Sequence, residues 1–86
     1  MQLVLTDSAL KDLKKLNPVT QKQIVKKLRY FIEQPDPMMF AVKLTNFTKG
    51  GDYRFRVGQY RIVFDAHKET IYILHIEHRR DVYRTK

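Results

Sequence analysis

The spacing of the apolar residues changes once along the chain, near residue 52, and this change sets the fold class. Before it, apolar residues recur every three or four positions, whereas from Tyr53 to Phe64 they largely alternate with charged or polar residues. The first spacing is typical of amphipathic helices and the second of strands with one buried face. The sequence therefore predicts a helical first part and a strand-rich last part.

Two helices are predicted before this point, after a short strand at residues 3–5. The first begins at residues 6–8, which offer three N-cap oxygens. Its apolar residues recur at helical spacing: Leu10, Leu13 and Leu16. Asn17 and Pro18 then end this helix and begin the next, because asparagine caps helices well and proline fits their first position.

The second helix has the clearest apolar stripe in the sequence. Its members are Ile24, Val25, Leu28, Phe31 and Ile32. The opposite side carries cations, namely Lys22, Lys26 and Arg29. The helix stops before Pro35, because a following proline disfavours the helical conformation of Gln34. We expect the two helices to form an antiparallel hairpin with a basic outer surface.

The rest of the chain is predicted to complete a sheet. Residues 35–51 form a partly packed connection, with a short strand near residues 41–44 and core contacts from Phe40, Leu44 and Phe47. Two strands then flank a turn, and a further strand from Thr70 to Glu77 follows a loop at residues 66–69. The order β-α-α-β-β-β predicts an α+β domain, with the N-terminal helical hairpin packed on one face of a mainly antiparallel sheet.

The turn between the two strands fixes which side chains share a face. Gly58-Gln59 fits a two-residue hairpin turn of type II′. With this turn, Val57 lies opposite Tyr60, and Phe55 lies opposite Ile62. These pairs form the apolar side, which we expect to lie on the helices.

The other side of the hairpin carries three arginines. Arg56 lies opposite Arg61, with Arg54 two residues along from Arg56. Like charges directly opposite destabilise a sheet, unless water screens them or an anion lies between them. Because arginine forks match phosphate in a bidentate manner, the three side chains form a candidate phosphate site. A solvated sheet face is the alternative interpretation.

Length and charge narrow the function classes. The chain of 86 residues is expected to form one domain, residues 1–86, and it carries a formal charge of +8 from 17 Lys and Arg against nine Asp and Glu. Such an excess favours encounter with polyanions such as nucleic acid, although solubility alone also accounts for it. Cysteine is absent, and neither a signal peptide nor a membrane span is recognisable. We therefore expect a cytoplasmic protein without a membrane partner.

The C-terminal segment at residues 78–84 adds three more arginines, a histidine and a phenol. RNA cleavage without a metal requires activation of the 2′-hydroxyl, stabilisation of the pentavalent phosphate and neutralisation of the 5′-oxygen. Arginine suits the second task but is a poor proton shuttle. Tyr83 and His78 are therefore the candidates for proton transfer, against the alternatives of a packing tyrosine and a surface histidine. No metal site is predicted, since His75 and His78 lack a thiol or carboxylate partner.

Two segments together resemble a known family. The stretch from Tyr53 to Phe64, followed by His78-Arg79-Arg80-Asp81-Val82-Tyr83, is similar to the RelE toxins of the RelE/ParE superfamily. These are the toxin halves of bacterial and archaeal toxin–antitoxin pairs. The resemblance implies a RelE-like toxin domain and an endoribonuclease that cleaves mRNA in the ribosomal A site. The implied reaction is attack by the 2′-hydroxyl without a metal, which leaves a 2′,3′-cyclic phosphate and a 5′-hydroxyl.

The resemblance also implies roles for three residues. Arg61 matches the phosphate-stabilising arginine of the second hairpin strand. Arg79 matches the arginine of the C-terminal motif, which serves the transition state or the leaving group. Tyr83 matches the tyrosine that stacks on the substrate base and helps to activate the hydroxyl.

The chain departs from the family at two positions. Arg54 and Arg56 match sites at which the best-studied members carry lysines, and arginine gives up a proton less readily than lysine. His78 resembles a histidine that some members have beside the arginine, and it is the candidate to take over proton transfer.

The implied partners are the ribosome with its mRNA and a small antitoxin that wraps the toxin and contacts operator DNA. No cofactor is implied. Six lysines fit contacts with ribosomal RNA in this picture, with a solvated helix surface as the alternative: Lys11, Lys14, Lys15, Lys22, Lys26 and Lys27. Two other functions stay open. A gyrase-poisoning toxin of ParE type does not need Arg61, Arg79 and Tyr83, and an attenuated, non-catalytic binding module is consistent with the change from lysine to arginine.

Overall fold

The structure, a computed structural model, describes residues 1–44 and 51–78. In these ranges the elements follow one another as β1 (Gln2–Leu5), α1 (Asp7–Lys14), α2 (Pro18–Glu33), a 3-10 helix (Pro37–Phe40), β2 (Val42–Lys43), β3 (Tyr53–Val57), β4 (Tyr60–His67) and β5 (Thr70–His78). The strands form one sheet in the order β1-β5-β4-β3-β2. Only the β1–β5 pair within this sheet is parallel. The predicted α+β class and the mainly antiparallel sheet are confirmed.

The starts of both helices and the end of α2 lie where the sequence places them, whereas α1 ends at Lys14, before the predicted stop at Asn17 and Pro18. The Thr6 hydroxyl oxygen accepts the Ala9 N–H at 3.2 Å and donates to the Ile73 carbonyl at 2.8 Å, so one side chain caps α1 and ties it to β5. The Asn17 side-chain oxygen accepts the Thr20 N–H at 2.8 Å, as expected for an N-cap. At the other end of α2, Gln34 has an extended backbone before Pro35, as predicted.

The core lies between the two helices and one face of the sheet. The apolar stripe of α2 is confirmed, with Ile24, Leu28 and Phe31 buried. The stripe predicted for α1 is partly wrong, because Leu10 is 38% exposed and Ala9 is fully buried in its place. The reason is the face that this helix turns toward the core, which carries Ala9 and Leu13, four positions apart, and leaves Leu10 at its margin.

A line of stacked aromatic rings joins α2 to the sheet. Phe31 lies 4.8 Å from Phe40 and 4.6 Å from Phe55, measured between ring centroids. Phe55 in turn lies 4.3 Å from Phe64 on β4. The predicted core contact of Phe40 is confirmed, whereas Phe47 lies outside the described residues. These rings fix the position of the β3–β4 hairpin relative to α2.

The second hairpin differs from the prediction. Residues 66 and 67 were expected in a loop, but Ala66 pairs with Ile71 and His67 with Thr70, so β4 extends to the turn. The turn is only two residues long, and Lys68 adopts a positive φ of 55°. This turn contains neither proline nor glycine. The sequence therefore carried no signal for a tight turn, and a longer loop was predicted instead.

The far half of β5 is held by α1. Because β1 ends at Leu5, which pairs with Ile73, no strand within the described ranges pairs with the β5 residues beyond this point on that side. The Asp12 carboxylate on α1 accepts the N–H of Ile76 at 3.0 Å and satisfies one of the exposed backbone donors. This contact ties the end of β5 to α1. None of the helices in the described ranges is long and apolar enough to cross a membrane.

Candidate active site

The arginines of the β3–β4 hairpin lie on the sheet face opposite the helices, as predicted. Val57 pairs with Tyr60 across a two-residue turn, and Arg56 pairs with Arg61. Gly58 has a φ of +58°, which a type II′ turn requires of its first central residue. Arg54 lies opposite Val63, on the same face as the other two arginines because side chains alternate along a strand.

Burial of the alternate residues holds this register. Phe55 and Ile62 are paired and fully buried on the helix side. A slip of one residue would bring the arginines into the core and expose these two side chains, which the apolar contacts with α2 oppose. We call the surface formed by Arg54, Arg56, Arg61 and Glu77 the arginine face.

The arginines differ in burial. Arg56 is exposed, whereas Arg54 and Arg61 are half-buried. The Nε atom of Arg61 is buried and has no hydrogen-bond partner among the described residues. A buried donor without a partner costs free energy, on the order of 1–3 kcal/mol. Such a donor, beside a second guanidinium directly opposite, favours an anionic ligand at this position.

Glu77 was not singled out from the sequence, yet it lies on the arginine face. On β5 it pairs with Arg61, so that Arg61 has a cation on one side and a carboxylate on the other. The pairing depends on a β-bulge, because Val63 pairs with His75 but Phe64 pairs with Ile73, which leaves Leu74 as an extra residue. The carboxylate gives Arg61 an opposite charge across the strand, which stabilises its position.

His78 does not lie on the arginine face. It pairs with Tyr60, and the two rings meet edge to face at 5.0 Å with an interplanar angle of 87°. Since Tyr60 shares the helix-side face with Val57, the His78 ring lies on the other side of the sheet from Arg56 and Arg61. The described structure therefore does not bring the imidazole together with the arginines. Arg79 and Tyr83 lie outside the described residues.

The lysines divide into separate surfaces. All six of the lysines predicted to contact ribosomal RNA are exposed. Lys22 and Lys26 line a groove on one side of α2 together with Arg29 and Glu33. Lys27 lines a different groove, on the side of α2 that approaches the β3–β4 turn, and Arg56 lines the same groove. One helix thus presents basic residues in two directions.

A polar cluster at the junction of α1 and β5 was also missed by sequence reasoning. The Ser8 hydroxyl lies 3.4 Å from Nδ1 of His75, and the Asp12 carboxylate lies 4.0 Å from the same nitrogen. Because both groups approach one ring nitrogen, the cluster lacks the relay geometry of a nucleophilic triad. Its contacts join α1 to β5. Within residues 1–44 and 51–78, no group of three or more His, Asp and Glu side chains is placed to hold a metal ion.

The match to a family model defines the class of protein, a toxin of the RelE/ParE superfamily. Residues 3–83 match the family model described as the ParE toxin of type II toxin–antitoxin systems, and the chain belongs to this family. The match spans both segments that carry the resemblance to RelE toxins. No curated protein sequence matches the chain.

Solved structures show the same fold. The RelBE2 toxin–antitoxin complex of Mycobacterium tuberculosis matches with a TM-score of 0.73 and 25% identity, over 91% of this chain and 90% of that chain. The isolated RelE toxin of E. coli matches with a TM-score of 0.67 and 25% identity, over 96% and 90% of the two chains. The RelB–RelE complex of Methanococcus jannaschii, at 23% identity, matches with a TM-score of 0.70 over 94% and 95%. The resemblance to RelE-type toxins is thus confirmed.

Proposed function

We propose that this toxin is a ribosome-dependent endoribonuclease that cleaves mRNA in the A site. The observation that carries the proposal is the direct opposition of Arg56 and Arg61 on a rigid hairpin, with the Nε atom of Arg61 buried and without a partner in the described structure. Two opposed guanidinium groups provide the charge that a pentavalent phosphate requires. The structural likeness to an isolated RelE toxin supports the assignment.

The reaction is a transesterification within the RNA strand. The 2′-oxygen forms a bond to the adjacent phosphorus as the bond from phosphorus to the 5′-oxygen breaks. A base accepts the proton of the 2′-hydroxyl, and an acid donates a proton to the departing 5′-oxygen. The products are a 2′,3′-cyclic phosphate and a 5′-hydroxyl, and no metal or other cofactor takes part in the proposed reaction.

The arginines act through charge in this reaction. Arg61 stabilises the pentavalent phosphate, and Arg56 and Arg54 add positive charge on the same face. Because arginine stays protonated in proteins, none of the three is assigned a proton-transfer role. Their effect is strongest if the RNA excludes water from the site, since charge interactions weaken in a medium of high dielectric constant.

We assign proton transfer to residues near the C-terminal end of the chain. Tyr83 is assigned to base stacking and hydroxyl activation, and Arg79 to the leaving group, on the strength of the sequence resemblance. His78 remains a proposed proton carrier at the end of β5, although its ring meets Tyr60 on the far side of the sheet from Arg61. A direct role for its imidazole therefore requires the RNA to pass around the end of the hairpin.

The proposed partners follow from the same assignment. The toxin binds a cognate antitoxin, as the RelE chains in the matched complexes do, and reaches operator DNA only through it. It acts on cytoplasmic ribosomes, where the exposed lysines of α1 and α2 contact ribosomal RNA. Such contacts predict a loss of ribosome affinity as salt rises.

Mapping of mRNA 5′ ends tests the proposal. Purified toxin is incubated with programmed ribosomes and, separately, with naked mRNA. We expect cuts in the A-site codon that require ribosomes, and we expect Arg61→Ala to abolish them. Arg29→Ala removes the same charge from the exposed surface of α2 and serves as the matched control. Absence of cuts on ribosomes would overturn the assignment, as would full cleavage by Arg61→Ala.

A second candidate is inhibition of DNA gyrase, and the match to the ParE family model favours it. In this case the arginine face carries no RNA chemistry, and Arg61→Ala leaves toxicity unchanged. A supercoiling assay with purified gyrase distinguishes the two functions. A third candidate, an attenuated binding module, rests on the arginines at positions 54 and 56, and it predicts antitoxin binding without either activity.

A further inference from the structure

A groove lies between α2 and the β3–β4 turn, around the end of the hairpin from the arginine face. Thr20, Gln23 and Lys27 line it from α2, and Arg56 and Tyr60 line it from the hairpin, together with the turn itself. It is open to solvent on one side and has a volume of about 510 Å³, which is within the range of roughly 300–1,000 Å³ found for small-molecule sites. The groove is therefore large enough for part of a polymer chain to enter.

The charge of the groove favours an anion. Its two charged lining residues in the described structure, Lys27 and Arg56, are both cations. The groove on the other side of α2 differs, because Glu33 lines it with the basic residues. The remaining polar side chains of the lining, on Thr20, Gln23, Gln59 and Tyr60, are neutral hydrogen-bonding groups. Uncharged hydrogen-bonding groups beside two cations suit a phosphate with its attached sugar and base.

Arg56 connects this groove to the arginine face. It pairs with Arg61 across the hairpin, and it also lines the groove beside Lys27. Arg56 is the last arginine of β3 before the turn. An RNA strand bound at Arg61 therefore reaches Lys27 by passing around Gly58. The positive residues thus continue from β4 through β3 to α2 without an intervening carboxylate from the groove lining.

The Lys27 and Tyr60 side chains are both restrained. The Lys27 Nζ atom lies 5.1 Å from the centroid of the Tyr30 ring and 5.7 Å from that of Phe31, within the range of cation–π contacts. The Tyr60 ring is held edge to face by His78. Restraint before binding lowers the entropy cost of holding a ligand, and an aromatic ring in a basic groove is a common stacking partner for a base.

The geometry points to a second nucleotide-binding subsite, in which this groove holds a nucleotide flanking the scissile phosphate. Lys27 binds the phosphate of that nucleotide, and Tyr60 contacts its base or sugar. The inference rests on the proposed ribonuclease function and deepens it, because it extends the substrate path from the arginine face to α2. It also separates Lys27 from Lys22 and Lys26, which face away from this path.

Two non-cleavable probes test the subsite. A 2′-O-methyl uridine dinucleotide carries one phosphodiester, and a 2′-O-methyl uridine hexanucleotide carries several. The three arginines are expected to hold the single phosphodiester of the dinucleotide. Affinities of the full chain for both probes are measured over a range of salt concentrations, for the wild type, Lys27→Ala, Arg61→Ala and the charge-matched control Arg29→Ala.

We expect Lys27→Ala to weaken binding of the hexanucleotide and to leave binding of the dinucleotide unchanged. The slope of log K against log salt should fall by about 0.7, the value for one phosphate contact on a single strand. Arg29→Ala should leave the affinity for both probes unchanged, and Arg61→Ala should lower the affinity for both. In NMR spectra of the wild type, the amide signals of Gly58 and Gln59 should shift with the hexanucleotide and not with the dinucleotide.

Other outcomes separate the two proposals. If Arg61→Ala weakens both probes but Lys27→Ala binds the hexanucleotide like the wild type, the subsite is overturned and the ribonuclease assignment stands. If Arg29→Ala weakens the hexanucleotide as much as Lys27→Ala does, the effect is general charge and the subsite is again overturned. If Lys27→Ala impairs binding of the antitoxin but not of the hexanucleotide, the occupant is a protein segment. If neither probe binds the free chain, the subsite is overturned, and the cleavage assay on programmed ribosomes decides the ribonuclease assignment separately.

Discussion

Replacing Arg56 by glutamine is expected to stabilise the fold while slowing the proposed cleavage. Arg56 is exposed and lies directly opposite Arg61, so the folded state holds two like charges side by side. Glutamine keeps most of the side-chain length and removes the charge. Because Arg61 also pairs with Glu77 on its other side, Arg56→Gln leaves the favourable pairing intact.

The size of the gain follows from the geometry. Opposed side chains on a sheet start about 5 Å apart at their Cβ atoms. With the charged groups splayed to roughly 7 Å in water, Coulomb's law gives a repulsion of about 0.6 kcal/mol. The screening length falls from about 10 Å at 0.1 M salt to about 3 Å at 1 M, so the gain should be nearly lost at high salt. Arg61→Gln removes both the repulsion and the attraction to Glu77, and its gain should be smaller.

Urea unfolding at 20 mM and at 1 M sodium chloride measures this effect. The expected result is a higher midpoint for Arg56→Gln at low salt, with an unchanged slope, and a midpoint close to that of the wild type at high salt. Cleavage on programmed ribosomes, measured on the same preparations, should be slower for the variant. A variant no more stable than the wild type at low salt, or one equally stabilised at both salt concentrations, would refute the reasoning.

Three further predictions concern the scaffold, and urea unfolding measures each of them. Gly58→Ala should cost about 1–2 kcal/mol, because the residue has a φ of +58° but the added Cβ meets nothing within 4 Å; a loss that Gly58→Asn does not reduce would argue against a purely conformational cause. Gly51→Ala should cost about 1–3 kcal/mol for a steric reason, because the added Cβ would collide with a buried valine on β4. A Gly51→Ala variant as stable as the wild type would contradict this packing. Phe55→Ala should cost about 3–5 kcal/mol, because the ring is fully buried and stacked on two others, and a loss below 2 kcal/mol would show that the site collapses around the gap.

The sequence was sufficient to predict the helices and strands whose ends are marked by local signals. Asn17 and Pro18 mark the start of α2, and Pro35 marks its end, because capping and proline geometry act over a few residues. The register of the first hairpin was also predictable, since Gly58 permits one tight turn and the alternation of apolar residues around it permits one pairing.

The register of β5 was not predicted, and Glu77 was therefore missed as part of the arginine face. Counting from the turn at residues 68–69 without a bulge would place Ile76 opposite Arg61 and leave Glu77 on the core side. The bulge at Leu74 reverses this and brings Glu77 onto the arginine face. A signal was present, because the buried residues Ile73 and Ile76 are three positions apart where an uninterrupted strand would space them by two.

The position of His78 illustrates the same limit. In the sequence it stands beside Arg79, and this adjacency suggested one shared site. In the fold, strand alternation and the bulge place its ring against Tyr60, on the other side of the sheet from Arg61. Which face a residue joins at the end of a strand depends on every pairing before it, and this information is not local.

The parallel pairing of β1 with β5 bears on when the protein becomes folded. Gln2 pairs with Thr70, so the backbone hydrogen bonds of the first strand can form only after the last strand of the described structure is present. Contacts between such distant positions form slowly, because the entropy cost of closing a long loop comes before any stabilising contact is made. During synthesis, the growing chain therefore lacks its complete sheet until β5 has emerged from the ribosome. A toxin built in this order cannot assemble its arginine face, which includes Glu77 of β5, early in its own translation.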